Sequence, residues 1–307
     1  MTGDAERRIS RPVTPLSTKA IELGAPLRFP LKSDVASAVV RAALEEDGAF
    51  NDITTVATVH STARARARLV ARQAGVIAGV PLALEAFRIL DPTIAIRIDI
   101  GDGTAVAAGT QVLYISGHAR GMLAAERVAL NFMQHLSGIA SMTARFVDAV
   151  KGTRVQILDT RKTTPGWRRL EKYAVRAGGG KNHRSDLSAA VLIKDNHLAA
   201  LGGDIAAAVS RARGLAPADT RIEVECDRLD QVAAAIDAGT DIVLLDNMSI
   251  EQLHAAVALV DRRAITEASG GVRLDTVRAI AETGVDWISV GAITHSAGAL
   301  NLALDFE

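Results

Sequence analysis

The sequence predicts an α/β fold, an open or incomplete TIM-like α/β barrel preceded by an N-terminal α/β sandwich domain. Three observations predict it. From residue 155 onward, short apolar runs alternate with Ala-rich helical patterns, the strands ending at Asp159, Lys194, Glu225 or Cys226, Asp246, Glu267 and Val290. Six such units in a row argue for a parallel barrel rather than a sandwich of antiparallel sheets. Residues 62–117 carry a separate, smaller set of strand patterns around one helix, and Leu300, Leu302, Leu304 and Phe306 alternate with the period of a strand that returns to that first unit.

Taken in order, residues 1–31 form a proline-bearing, mixed-charge arm expected to be flexible. Residues 32–138, with the connecting helix, make the N-terminal domain, which the C-terminal segment 293–307 joins; residues 139–292 make the barrel. Ser33 can cap a helix from Asp34 to about Asp47, with Gly48 as its stop. EDGAFNDITT reads as a loop leading into a strand. In TARARARLVAR, Arg64, Arg66 and Arg68 share one face of a strand, and with no aromatics interleaved for base stacking that face reads as solvated. Gly75 to Val80, Ile94 to Ile100 and Gln111 to Ile115 read as further strands, with a helix from Pro81 to about Leu90. A long helix starts near Ala119, breaks at Ser137-Gly138 and resumes to about Val150. Arg127 sits among apolar neighbours on it, a place that calls for a partner or a snorkelling side chain.

Composition narrows the function classes. Lys+Arg and Asp+Glu are equal at 35 each, so the chain lacks the global basic field of a nucleic-acid binder. The lone Cys226 lies inside an apparent strand, which reads as a small buried apolar residue and fits a reducing compartment. No apolar run approaches membrane-spanning length and the N-terminal residues lack the apolar region of a secretory signal, so a cytoplasmic protein is expected.

Against that neutral background one stretch stands out. Between Asp159 and His197 lie nine cations (Arg161, Lys162, Arg168, Arg169, Lys172, Arg176, Lys181, Arg184, Lys194) and four carboxylates (Asp159, Glu171, Asp186, Asp195). Arg161 with Lys162, and Lys194, follow directly on buried strands, and in parallel α/β folds ligands bind at those carboxyl ends. They are expected to face one pocket with anionic contents. Glu223 and Glu225 alternate on IEVEC, and Asp246 closes IVLLD; such carboxylates can take sugar hydroxyls or hold Mg2+. Ser269-Gly270-Gly271 and Gly291-Ala292 follow the last two strands, where barrels commonly bind phosphate through backbone N–H groups. The chemistry indicated is a phosphorylated sugar beside a carboxylated or pyrophosphorylated partner. Zinc spacings and a GxSxG elbow are absent, GDGTAVAAG misplaces the third glycine of a dinucleotide fingerprint, and GGGKN lacks the rest of a P-loop.

The motifs EDGAFNDITT, GVIAG, ERVALNFMQHLSGIAS, DTRKTTPG, GGGKNHRSDLS, IKDNH, EVEC, LLDNMS, EASGG and VGAITHS, in this order from about Leu31 to Glu307, resemble the quinolinate phosphoribosyltransferase (nicotinate-nucleotide pyrophosphorylase) family. The resemblance implies an open barrel of six or seven strands, transfer of phosphoribosyl from phosphoribosyl pyrophosphate (PRPP) to quinolinate with loss of CO2, and a role in NAD biosynthesis. It implies Mg2+ as cofactor and a homodimer, extendable to a hexamer as a trimer of dimers, with Arg127 entering the neighbour's pocket. Thr160, Arg161, His183, Arg184 and Lys194 would hold quinolinate, and Lys162 would reach the pyrophosphate. Glu225 and Asp246 would take ribose hydroxyls and Mg2+, directly or through water, with Glu223 an open alternative to Glu225. Ser269, Gly270, Gly271, Val290, Gly291 and Ala292 would surround the 5′-phosphate, and Lys162, Lys194, Glu225 and Asp246 would carry the catalysis. Trp167 and Ala268 depart from the usual residues without removing a pocket charge. The rivals are a barrel-type phosphoribosyltransferase for another pyridine or purine, an aldolase-like barrel with Lys194 as Schiff-base nucleophile, and a non-catalytic phosphoribosyl sensor.

Overall fold

Residues 27–307 are described by the structure, a computed structural model. Most of the arm expected over residues 1–31 lies outside them. Its last residues are docked: Phe29 meets Tyr173 edge-on at 5.4 Å and Leu27 and Leu31 pack against the core.

The N-terminal part contains helices α1 (Ser33–Glu46), α2 (Ile53–Thr58) and α3 (Val80–Leu90) and strands β1 (Arg64–Ala71), β2 (Gly75–Val76), β3 (Ala95–Ile98), β4 (Ala105–Val106) and β5 (Gln111–His118). Alternation governs β1, which exposes Arg64, Arg66 and Arg68 and buries Ala67 and Leu69. Arg68 pairs with Glu307 at 2.9 Å, so this face is the solvated one expected.

Four local readings are corrected. Ser33 is the first helical residue of α1, with Lys32 at the N-cap and no side-chain cap. DITT is a helix, because the Asp52 carboxylate accepts the Thr55 N–H at 3.0 Å and caps the first turn of α2. The strand expected over Gly75 to Val80 shrinks to two residues. Its backbone is satisfied by α4 (Ala119–Ala149): the Val76 N–H donates to Ser141 Oγ at 2.8 Å and the Ala78 N–H to Ser137 Oγ at 2.9 Å. Lastly, α4 does not break at Ser137-Gly138. Both residues are buried there, and a Cβ on Gly138 would lie 2.2 Å from the Gly298 carbonyl oxygen, so the pair is a notch for backbone approach.

The barrel strands are β6 (Gln156–Leu158), β7 (Val191–Ile193), β8 (Ile222–Cys226), β9 (Ile242–Asp246), β10 (Ile265–Ser269) and β11 (Trp287–Ser289). They pair in parallel in the order β6-β11-β10-β9-β8-β7, so the first two strands in the chain form opposite edges and the barrel is open between them. The connection crossing that opening contains α5 (Arg168–Ala177) and then adds a partial stave. Lys181 bridges to Leu158 in parallel, and Arg184 Nη1 donates to the Ala190 carbonyl at 3.0 Å, just before β7. The final strand, β12 (Leu302–Phe306), pairs antiparallel with β1, in a four-stranded sheet ordered β12-β1-β5-β3.

Inside the barrel, Leu158, Ile242, Ile265 and Trp287 form an apolar plug. Toward the carboxyl ends of the strands the inward positions turn polar, at Glu225, Asp246, Glu267, Ser269 and Ser289, while Glu223 lies at the level of Ile242. The plug closes one end; the polar row opens the other. Gly138→Ala is expected to destabilise the protein by about 1–3 kcal/mol through overpacking against the 298 backbone, read as a lowered melting temperature; an unchanged melt would deny the notch.

Candidate active site

A cavity of about 620 Å3 opens at the carboxyl ends of the barrel strands. Thr160, Arg161 and Lys162 enter it directly after β6, His183 and Arg184 from the stave, and Lys194 after β7. Glu225, Asp246 and Ser269 come from the ends of β8, β9 and β10, and Gly270 and Gly271 from the turn that follows. Residues more than a hundred positions apart thus share one opening. Gly291 sits just behind: a Cβ there would stand 3.1 Å from Lys162 Cδ. Val290 is buried with its N–H donated to the Leu158 carbonyl, and Ala292 starts a short helix. Arg127 is exposed on α4 and does not line the cavity of its own chain.

The cations are the unusual part. Among the described residues, none of the ion pairs includes Arg161, Lys162 or Arg184. Arg161 Nε is buried without a partner. Burial, and then the nearby Arg161 charge, lower the Arg184 pKa, and the charges of Glu223 and Asp186 oppose them without reversing the shift. Lys194 differs, pairing with Glu225. A Schiff-base lysine is activated by an apolar wall or a neighbouring cation rather than by a carboxylate, which counts against the aldolase-like rival.

Glu223 and Glu225 share a strand face but not an environment. Glu225 lines the cavity, whereas Glu223 is buried beneath it, its Oε2 3.1 Å from His183 Nε2. Glu267 Oε2 lies 3.5 Å from the same nitrogen. The Arg184 N–H donates to His183 Nδ1 at 2.8 Å, which leaves the Nε2 proton facing the two carboxylates. Burial opposes charge on this ring, but Glu223 and Glu267 outweigh it and raise its pKa. Burial likewise raises the Glu223 carboxyl, and the Glu267 charge adds to the rise.

These three side chains are also the one group among the described residues with metal-ligand proximity. Glu225 and Asp246 line the cavity from the neighbouring strands β8 and β9, with Glu225 paired to Lys194.

The turn after β10 is shaped by backbone. Gly270 has φ +91°, and a Cβ there would meet Asn247 Oδ1 at 2.2 Å. Asn247 has φ 54°, and its side chain donates to Asp246 Oδ2 at 2.8 Å. Asn247, Glu267 and Ser289 line the cavity and were missed from the sequence, although the period of two that singled out Glu223 and Glu225 also marks Glu267 with Ser269. Trp167, one of the two departures, stacks on Phe132 of α4 at 5.1 Å and meets His135 edge-on, so it anchors the loop after Lys162.

Fold and site together define an α/β-barrel protein whose strand ends gather cations and carboxylates around one cavity. Residues 52–137 match the quinolinate phosphoribosyl transferase N-terminal domain and residues 139–305 its C-terminal domain. The chain belongs to the quinolinate phosphoribosyl transferase family. It is 44% identical to the nicotinate-nucleotide pyrophosphorylase (carboxylating) of Mycobacterium leprae, over 89% of this chain and 97% of that one. It is 39% identical to a mitochondrial quinolinate phosphoribosyltransferase (decarboxylating) of Nicotiana tabacum, over 88% and 81%. The nicotinate-nucleotide pyrophosphorylase structure from Francisella tularensis superposes with a TM-score of 0.85 at 39% identity, covering 91% of this chain and 98% of that one. No described helix is long and apolar enough to cross a membrane.

Glu267→Gln removes one of the two charges facing the His183 ring, and its pKa is expected to fall. A 15N-detected titration of that ring measures it; a pKa that stays put would mean Glu267 does not act on His183.

Proposed function

We propose that this protein joins quinolinate to PRPP, releasing pyrophosphate and CO2 and forming nicotinate mononucleotide, the step by which a pyridine base enters NAD biosynthesis. The observation that carries the reading is the convergence of Arg161, Lys162, Arg184 and Lys194 on one cavity, with Glu225 and Asp246 on its other wall. Among the described residues three of these four cations have no ion-pair partner, as a site built to receive anions requires. Membership of the family supports the same substrates.

Quinolinate's two carboxylates go to Arg161 and Arg184, with Thr160, His183 and Lys194 around them. Lys162 faces the pyrophosphate. Its loop is held by the Thr294 hydroxyl, which donates to the Lys162 carbonyl at 2.7 Å. The turns at Ser269–Gly271 and Gly291 take the 5′-phosphate through N–H groups. As pyrophosphate leaves, positive charge grows on the ribose ring, and Glu225 and Asp246 stabilise it while they orient the hydroxyls. Mg2+ held by these two carboxylates, directly or through water, would neutralise charge on the departing pyrophosphate. When CO2 departs, its bonding electron pair stays on the adjacent ring carbon, where the positive ring nitrogen stabilises it as an ylide until that carbon takes up a solvent-derived proton, giving nicotinate mononucleotide. The protein's part in that step is orientation and exclusion of water.

We place the working unit in the cytoplasm as a homodimer in which Arg127 completes the neighbour's pocket. Arg127 stands exposed on α4, and beside that helix α2 leaves Ile53 82% and Val56 58% exposed. An uncovered apolar face next to an unused arginine supports a second copy there.

Three outcomes are expected. Quinolinate labelled in the carboxyl that is lost releases labelled CO2 only with PRPP and Mg2+, and no release would end the reading. Arg161→Ala weakens quinolinate binding by about 3 kcal/mol, on the order of a hundredfold in KM, with a smaller change for PRPP; unchanged kinetics would remove Arg161 from the site. At quinolinate concentrations well below the KM of either variant, co-refolding the impaired Arg127→Ala and Arg161→Ala chains restores about a quarter of wild-type activity, since each mixed dimer regains one intact site; a mixture no more active than the separate variants would deny the exchange.

A further inference from the structure

Arg161 reaches the cavity from the end of β6 and Arg184 from the stave that lies across the opening in the barrel, and among the described residues no ion pair of their own holds them there. What ties the two segments together lies beneath them. Asp159, fully buried and two residues before Arg161, pairs with the ammonium of Lys172 on α5. The same carboxylate accepts the His183 N–H at 2.8 Å and the Asn182 side-chain N–H at 2.6 Å. Lys172 in turn donates to the His183 carbonyl at 3.1 Å, and Asn182 Nδ2 donates to the Lys172 carbonyl at 2.8 Å. The residue preceding Arg184 is therefore gripped at both backbone groups by the two members of one ion pair. Neither member lines the cavity.

We propose that the buried Asp159–Lys172 pair is a positioning device that sets the spacing of Arg161 and Arg184, and so makes the pocket select bases with two neighbouring carboxylates over bases with one. It rests on the reading of the pocket as a pyridine-dicarboxylate site. Two guanidiniums brought together repel, so their separation is kept by the backbone that carries them. A monocarboxylate needs one of them and tolerates drift in the other. A dicarboxylate gains the second charge-assisted contact only when the spacing matches its own. Loosening the pair therefore costs the dicarboxylate selectively.

The test uses the full chain and two inert probes, phthalate and benzoate, which carry two and one carboxylates and no ring nitrogen to ribosylate. Removing one partner would strand a buried charge, so the variant is the double replacement Asp159→Asn with Lys172→Met. Calorimetric titration is expected to show phthalate affinity reduced at least about tenfold and benzoate affinity within about twofold of wild type, with KM for PRPP unchanged. Equal losses for both probes, or no loss in a variant with a wild-type melt, overturns the proposal. Should the double variant fail to fold, Asn182→Ala decides by the same ratio: a phthalate-selective loss of about threefold supports the device, and an unchanged ratio overturns it. Wild-type chain that binds phthalate no better than benzoate would instead sink the dicarboxylate reading of the pocket itself.

Discussion

Like charges gathered in one cavity are the constraint that the rest of this structure serves. Arg161 and Arg184 share a cavity with Lys162, and among the described residues none of the three forms an ion pair. Isolated in water such groups would move apart; here they are fixed to backbone that cannot. Arg161 and Lys162 follow directly on β6, and Arg184 follows a histidine bound at both its backbone groups. The repulsion is a cost of the arrangement that a polyanionic ligand would offset. Binding and charge neutralisation are then the same event.

The open barrel makes this arrangement possible. A closed ring would put a neighbouring strand on each side of β6 and β7. With the opening between them, the connecting stave can lie against β6 at Lys181 and carry His183 and Arg184 into the mouth from the side. Glycines make the approach close: a Cβ on Gly178 would stand 2.2 Å from the Ala140 carbonyl of α4, and on Gly180 2.7 Å from Thr143. Helix α4 is thus the common support, bound on one side by the serine hydroxyls that satisfy β2 and its flank, and packed on the other against the stave and α5. Its continuity through Ser137-Gly138 matters more than its helix propensity at that point, because tertiary contacts pay nothing for a break there and lose the notch if one forms.

Much of the fold and the site was legible along the chain. A period of two marks β1 and β12, and apolar runs that stop at a charged residue mark the barrel strands and the residues at their mouths. Arg161, Lys194 and Asp246 followed from that rule alone, because in a parallel sheet all strand ends point the same way. The errors have physical sources. Ser137-Gly138 reads as a breaker when the backbone of residue 298 is not in view, and Gly75–Val80 reads as a strand when the hydroxyls that satisfy it come from a helix 60 residues away. DITT was misread for a local reason, the capping power of Asp52, which was present in the sequence and given too little weight.

Sequence by itself determined the order of strands and helices, the inward face of each strand, and the placing of cations after them, since these follow from side-chain periodicity and chain direction. Its motifs also carried the family. Tertiary structure alone decided which strands form the edges of the opening, that Glu223 faces His183 while Glu225 faces the cavity, and that Asp159 and Lys172 meet beneath the clamp. Those are matters of distance between residues remote in the chain. No local pattern encodes such a distance, because it is set by how layers stack and by which buried charge finds the other.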